Sequence, residues 1–368
     1  MELQNKELMK IAENFVNADY ILELCPHGNG HINDTFLMIC ESGGKQTKWI
    51  LQKINKNVFP RPKQVMENVV GVTRYLAEKI AREGGNPTRE TLTILPAKDG
   101  KTYCIDEEED FWRCYLFIDN TLCLELPESE EDFYEAALAF GNFQRLLADY
   151  PAESLHETIA NFHNTKARFA VFQEAVAKDV AKRAKFVQKE IQFILDRESL
   201  ANYFTDLLMK GELPLRVTHN DTKINNILMD KNTRKGLCVI DLDTVMPGLA
   251  MNDFGDAVRI GASTALEDET DLNKVSCDMK LFEAFTKGFI EGCGGGLTEK
   301  EIELLPMGAK MMTFEVGMRF LTDYLNGDVY FKVHREGHNL DRCRTQLKLV
   351  ADMEEKWDKM QAIVAKYK

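Results

Sequence analysis

Val217-Thr218-His219-Asn220-Asp221-Thr222-Lys223-Ile224-Asn225-Asn226-Ile227-Leu228-Met229 sets a segment of His, Asp, Lys and Asn between two apolar flanks. A purely structural loop needs no such set. Its spacing is H-x-D-x-K-x-x-N, and phosphoryl transfer uses each part: a carboxylate to receive a hydroxyl proton, an ammonium for the transferring oxygens and an amide oxygen for Mg²⁺. Asp221 and Lys223 are therefore the candidate catalytic residues and Asn226 a candidate metal ligand. His219 reads as a loop anchor rather than a proton carrier. Fifteen residues past Asn226, the apolar run Leu237-Cys238-Val239-Ile240 ends in Asp241-Leu242-Asp243. A strand ending in carboxylates supports a metal ligand from behind and opens it to a cleft, so Asp241 is the expected second Mg²⁺ ligand, with Asp243 near it. A literal Asp253-Phe254-Gly255 follows. Because Asp241 already fills the metal position, Asp253 reads as structural, capping the next helix or bracing the loop at 219–226.

Outward from this centre the chain has two textures. Short apolar or alternating runs at 21–25, 35–40, 48–54, 91–96, 102–106 and 112–118 predict strands. One helix interrupts them, with Val65, Val69, Val72, Leu76 and Ile80 on a single face. From Ser129 on the pattern is helical: a stripe of Phe133, Ala137, Phe140, Phe143 and Leu147, then helical segments near 155–208, 272–291, 299–325 and 340–366, with Thr298 and Glu301 forming a capping box. The expectation is a small β-rich lobe, residues 1–119, holding a nucleotide, and a larger α-rich lobe, residues 120–368, carrying catalysis and substrate binding.

Composition narrows the partners. The chain has 368 residues, 44% of them hydrophobic and 29% charged, which suits a globular protein of two lobes. Its net charge of −13 disfavours a nucleic-acid or anionic-membrane surface. Nine cysteines without a C-x-x-C pair read as reduced thiols of a cytoplasmic protein. Neither a secretory signal nor a membrane-spanning run is visible.

The sequence resembles the aminoglycoside phosphotransferase and choline kinase group of protein-kinase-like small-molecule kinases, through His219-x-Asp221-x-x-x-x-Asn226 and Val239-Ile240-Asp241. Gly28-Asn29-Gly30-His31-Ile32-Asn33, Leu51-Gln52-Lys53-Ile54-Asn55, Thr218 to Lys223 and Ile240 to Gly248 are similar to the bacterial N-acetylhexosamine 1-kinases. The wider group usually has His-Gly-Asp where this chain has His219-Asn220-Asp221, a departure that agrees with the hexosamine subgroup. The resemblance implies a bilobal α+β protein-kinase-like fold, with ATP and Mg²⁺ as cofactors. It also implies transfer of the γ-phosphoryl group to the anomeric hydroxyl of N-acetylglucosamine or N-acetylgalactosamine, with Asp221 orienting that hydroxyl. It further places His31, Arg319 and Tyr330 at the sugar.

Several of these residues have a plainer alternative. Gly28 and Gly30 form either a phosphate-covering hairpin or an ordinary turn. Lys53 either meets the nucleotide phosphates and pairs with Glu67 on the following helix, or alternates outward to solvent, with Glu67 a surface residue. Phe117 falls where the lobes join, the adenine position of kinase folds. Arg319 could pair with Glu315 and Asp323 on its own helix, and Tyr330 could be ordinary packing. Rival functions are a kinase for another small alcohol, such as an aminoglycoside, choline, homoserine or a different sugar, and a non-catalytic kinase-like binding protein. A hydrolase is disfavoured by the absence of G-x-S-x-G and H-E-x-x-H strings.

Overall fold

A computed structural model describes residues 2–28 and 32–368. After helix α1 (Glu2–Ala12) come strands β1 (Ile21–Pro26), β2 (Asp34–Ser42) and β3 (Lys45–Ile54). Helices α2 (Pro62–Arg82) and α3 (Pro87–Glu90) follow, then β4 (Ile94–Leu95), β5 (Cys104–Ile105) and β6 (Phe111–Leu116). These strands make one antiparallel sheet in the order β1-β2-β3-β6-β4, with β5 also on β6. Alternation along β3 separates its two faces. Leu51 joins Met38, Trp112 and Cys114 under α1 in a small outer core, while Ile54 packs with α2. Helix α2 begins with Pro62 in its first turn, and its stripe of Val65, Val69, Val72, Leu76 and Ile80 is buried throughout.

The rest of the described chain is mostly helical: α4 (Glu130–Leu146), α5 (Thr165–Lys178), α6 (Gln188–Leu195), α7 (Glu198–Met209), α8 (Ala250–Gly261), α9 (Met279–Gly292), α10 (Glu299–Glu303), α11 (Leu305–Asn326), α12 (His338–Glu355) and α13 (Trp357–Tyr367). Ser129 caps α4 by accepting the Asp132 N–H, and Thr298 with Glu301 closes the expected capping box on α10. The segment read as one helix over 299–325 breaks at Leu304, just before Pro306. Proline lacks an N–H to continue the ladder and crowds the preceding turn. Helices α4 and α9 cross closely because Gly141 and Gly292 face each other. A Cβ on Gly141 would lie 2.9 Å from the Gly292 Cα.

Short strands frame the centre of this lobe. β7 (Thr121–Leu122), β9 (Ile227–Asp230) and β10 (Gly236–Val239) pair in the order β10-β9-β7, and β8 (Arg216–Thr218) pairs with β11 (Met246–Gly248). The loop 219–226 lies between β8 and β9, and Asp241 follows β10. The molecule is thus an α+β protein, an antiparallel β-rich lobe followed by a helical one. No described helix is long and apolar enough to cross a membrane.

Candidate active site

The loop after β8 is held by a dense set of bonds. Asp253, on the first turn of α8, accepts the backbone N–H groups of His219 (2.9 Å) and Asn220 (2.7 Å) and the side-chain amide of Gln144 (2.7 Å). Its carbonyl accepts the Thr222 hydroxyl. Asp253 therefore braces the loop, as the sequence reading has it. Phe254 packs on Phe282, Phe285 and Phe289, and Gly255 lets α8 rest on the Gly308 backbone of α11, so the Asp-Phe-Gly string has a structural explanation residue by residue. His219 donates Nε2–H to the Ile240 carbonyl (2.8 Å) and accepts the Asp221 N–H at Nδ1 (3.2 Å), leaving no ring nitrogen for proton transfer.

The bracing supports an unfavourable backbone. Asn220 (φ 66°) and Asp241 (φ 58°) both stand in the left-handed region, which costs a non-glycine residue about 1 kcal/mol or more. Asn220 satisfies its side chain there, donating to the Thr244 carbonyl (2.9 Å) and accepting from the Thr218 hydroxyl (2.9 Å).

Asp221, Lys223, Asn226 and Asp241 come together. Lys223 Nζ is 2.9 Å from Asp221 Oδ1, and Asn226 donates Nδ2–H to Asp221 Oδ2 (3.1 Å) and to the Asp221 carbonyl (2.7 Å). Burial alone would push the Asp221 carboxyl up. The Lys223 ammonium and the Asn226 amide outweigh it and hold Asp221 below the usual carboxylate range. Asp221 raises Lys223 in turn, helped by Asp256. Asp241 goes the other way, pushed up to about 6, first by enclosure within the cleft and then by the Asp243 and Asp221 carboxylates. Converging carboxylates of this kind favour a cation. With its amide nitrogen committed to Asp221, Asn226 has its oxygen left to offer beside Asp241. Among the described residues no cluster of three His, Cys, Asp or Glu side chains forms a metal cage. One carboxylate plus one amide oxygen suits a hard cation that takes its remaining ligands from phosphate and water.

In the small lobe Lys53 and Glu67 do not pair with each other, and the plainer of their two readings describes where they stand. β3 and β6 pair Gln52 with Arg113 and Lys53 with Trp112, so neighbours along β3 point to opposite faces. Gln52 and Arg113 face α2 and the large lobe. Arg113 donates Nε–H to Gln52 Oε1 (3.0 Å), approaches Met66 of α2 and forms an ion pair with Asp243. Lys53 lies on the outer face, over the Trp112 ring and paired with Asp110, which also holds Lys56 at 2.8 Å. Arg113 is a buried cation on the inward face of this sheet, and Lys53 lies on the opposite face. Nor does Glu67 pair with Lys53. Its carboxylate meets His156 Nε2 at 2.7 Å and Lys63 at 3.9 Å, because Met66 and not Glu67 holds the position on α2 that faces Arg113.

Arg113 and Asp243 tie the lobes together. Their side chains are 5% and 2% exposed, and Asn33, just before β2, donates to Asp243 Oδ2 (2.7 Å). Asn68 of α2 adds bonds to the carbonyls of Val245 (3.0 Å) and His156 (2.8 Å). The sequence held one signal for this tie: an arginine inside the apolar run Phe111-Trp112-Arg113-Cys114-Tyr115, which requires a partner once buried.

Gly28 has φ 76° with open space where a Cβ would stand, at the start of the loop from β1 to β2. Gly30 and His31 lie outside the described residues. The Phe117 ring meets the His27 ring edge-on (5.5 Å), and its N–H is already donated to the Lys48 carbonyl (3.0 Å). In the helical lobe, Arg319 makes neither of the intrahelical pairs its neighbours offer. Glu315 is taken by His163 and Thr165, and Asp323 accepts the N–H groups of Val329, Tyr330 and Phe331. The Arg319 guanidinium stands instead among the rings of Phe162, Tyr330 and Phe331 at 5.5–5.9 Å, and Tyr330 is 61% exposed.

Comparison with known proteins agrees with this fold. An aminoglycoside phosphotransferase from Alicyclobacillus acidocaldarius has a similar fold (TM-score 0.62, 11% identity, 97% of this chain and 95% of that one covered). So does a choline kinase from Cryptosporidium parvum (TM-score 0.60, 16% identity, 99% of each chain). A spectinomycin phosphotransferase, APH(9)-Ia, in complex with ADP and spectinomycin superposes with a TM-score of 0.55 at 13% identity over 92% of this chain and 93% of that one. These likenesses establish a shared fold. Residues 23–274, which contain the glycine loop, Arg113, Asp221, Asn226 and Asp241, match the phosphotransferase enzyme family (APH), and the chain belongs to that family.

Proposed function

We propose that this phosphotransferase moves the γ-phosphoryl group of ATP to the anomeric hydroxyl of an N-acetylhexosamine. The observation that carries the transfer step is the Asp221 carboxylate fixed between Lys223 (2.9 Å) and Asn226 (3.1 Å) beside Asp241. Asp221 orients the acceptor hydroxyl and takes its proton. Because its pKa is held low it is a weak base, which suits a loose transition state in which the proton leaves late. Lys223 swings from Asp221 to the transferring oxygens, and Gly28 with the loop containing Gly30 and His31 covers the phosphates. The nucleotide base lies near Phe117 and His27. Bound through Asn226 and Asp241, Mg²⁺ would supply charge neutralisation on the phosphates.

Arg319 bears on the acceptor class. Its guanidinium is free of carboxylate partners among the described residues, and it lies close enough to Arg168 to help depress the latter's pKa, after burial. Two neighbouring guanidiniums beside aromatic rings repel a polycationic or quaternary-amine acceptor, and they suit a neutral sugar whose hydroxyl and acyl oxygens accept hydrogen bonds. This favours N-acetylhexosamines over aminoglycosides, choline and ethanolamine. His31 belongs to the same sugar site on the strength of the sequence resemblance.

An acceptor panel followed by ADP release tests this. N-acetylglucosamine or N-acetylgalactosamine is expected to exceed free glucosamine, kanamycin and choline in kcat/KM by about a hundredfold or more. Turnover of an amine acceptor with none of the N-acetylated sugars would overturn the substrate assignment.

A further inference from the structure

His163 lies in the segment before α5, against the same loop that Asp253 braces. Both of its ring nitrogens face oxygens, one of a carboxyl group and one of a peptide carbonyl. Nδ1 is 3.0 Å from Glu315 Oε1 on α11, and Nε2 is 3.0 Å from the Asn220 carbonyl. The side chains are 7% and 0% exposed, so water does not substitute for either partner. With Glu315 ionised, satisfying both contacts requires a proton on each nitrogen, which is the imidazolium form. Thr165 donates to the other Glu315 oxygen at 2.6 Å and fixes that carboxylate.

The bond to Asn220 falls where it matters. The peptide joining Asn220 to Asp221 has its carbonyl gripped by His163 and its N–H received by His219 Nδ1. A peptide plane held at both ends cannot rotate, and its rotation would swing the Asp221 Cα–Cβ bond. Asn220 is also in the left-handed region, a conformation that reverts unless its surroundings hold it. We propose that His163, held as an imidazolium by Glu315, is a positioning residue for Asp221, clamping the peptide before it so that the carboxylate points at the acceptor. The groups that face the ring agree in sign. Burial alone would lower His163, but Glu315 on α11 and Asp256 on α8 together with the Asn220 carbonyl raise it. Glu315 in turn is held below its ordinary value against burial by His163, with help from Arg319 one turn on. A neutral His163 beside a protonated Glu315 would require the reverse shifts.

The inference rests on Asp221 being the base, and its test is separable from that reading. In the intact wild-type enzyme, ¹⁵N NMR of the His163 ring is expected to show both nitrogens protonated at pH 7.5. His163→Ala is expected to lose about tenfold to a hundredfold in kcat while KM for ATP stays within about threefold. Glu315→Gln, which can still orient the ring by donating to Nδ1, is expected to retain more of kcat than Glu315→Ala and to show His163 in its neutral form. Wild-type kcat in a folded His163→Ala enzyme, or a neutral ring in the wild type, would overturn the proposal while leaving Asp221 untouched. A wild-type enzyme that phosphorylates no acceptor would instead overturn the functional reading beneath it.

Discussion

Asp221→Asn is expected to lower kcat about 10²–10⁴-fold, the range general-base removal produces, while nucleotide affinity by calorimetry stays within about threefold. The side chain keeps its shape, and its remaining oxygen can still receive Lys223 or the Asn226 amide. What it loses is an atom able to accept a proton from the acceptor. Melting temperature should change little, because the pair it breaks is partly open to solvent and such pairs contribute about 1 kcal/mol or less. A variant that turns over at the wild-type rate would remove Asp221 from the chemistry and the proposed mechanism with it.

Arg113→Met is the second large effect, and it acts first on stability. Asp243 is 2% exposed, and without the guanidinium it would be a buried carboxylate with only Asn33 to bond. Breaking a buried pair from one side costs about 3–5 kcal/mol, which chemical unfolding would register as a lower midpoint. Replacing both partners, as Arg113→Met with Asp243→Leu, is expected to recover most of that stability, since the remaining charge has gone. Activity should not return with it. The pair ties the inner face of the small-lobe sheet to the strand end that presents Asp241, and an apolar contact does not set that register. Full activity in the stable double variant would show that the tie has no part in positioning the site.

How much was legible in the sequence differs by element. The catalytic loop, the strand ending at Asp241 and the α2 stripe were readable because each is local: the chemistry or the periodicity lies within about twenty residues. The structural reading of Asp253 follows in sequence from elimination, because Asp241 is the expected metal ligand, and its bonds to the loop agree with it. The remaining contacts depend on register and on distant segments. The sequence leaves Lys53 either at the phosphates or turned outward, because in a strand a one-residue step reverses the face, and only the register with β6 shows that Gln52 and Arg113 share the inward face. Glu67, in sequence either the partner of Lys53 or a surface residue, meets His156 and Lys63, for α2 turns Met66 toward Arg113. His163 and Glu315 stand 152 residues apart, and no spacing rule connects them. Arg319 was ambiguous in sequence because Glu315 and Asp323 lie one turn away on either side. Both carboxylates prove to be occupied by distant segments, which leaves the guanidinium among aromatic rings.

The most direct test of the central claim is the identity of the product. After incubation with ATP, Mg²⁺ and N-acetylglucosamine or N-acetylgalactosamine, a ³¹P–¹H correlation spectrum should couple the new phosphorus to the anomeric proton. That result is expected for transfer to O1 by the Asp221 site. Coupling to a ring or C6 proton, or release of inorganic phosphate with the sugar unchanged, would contradict it.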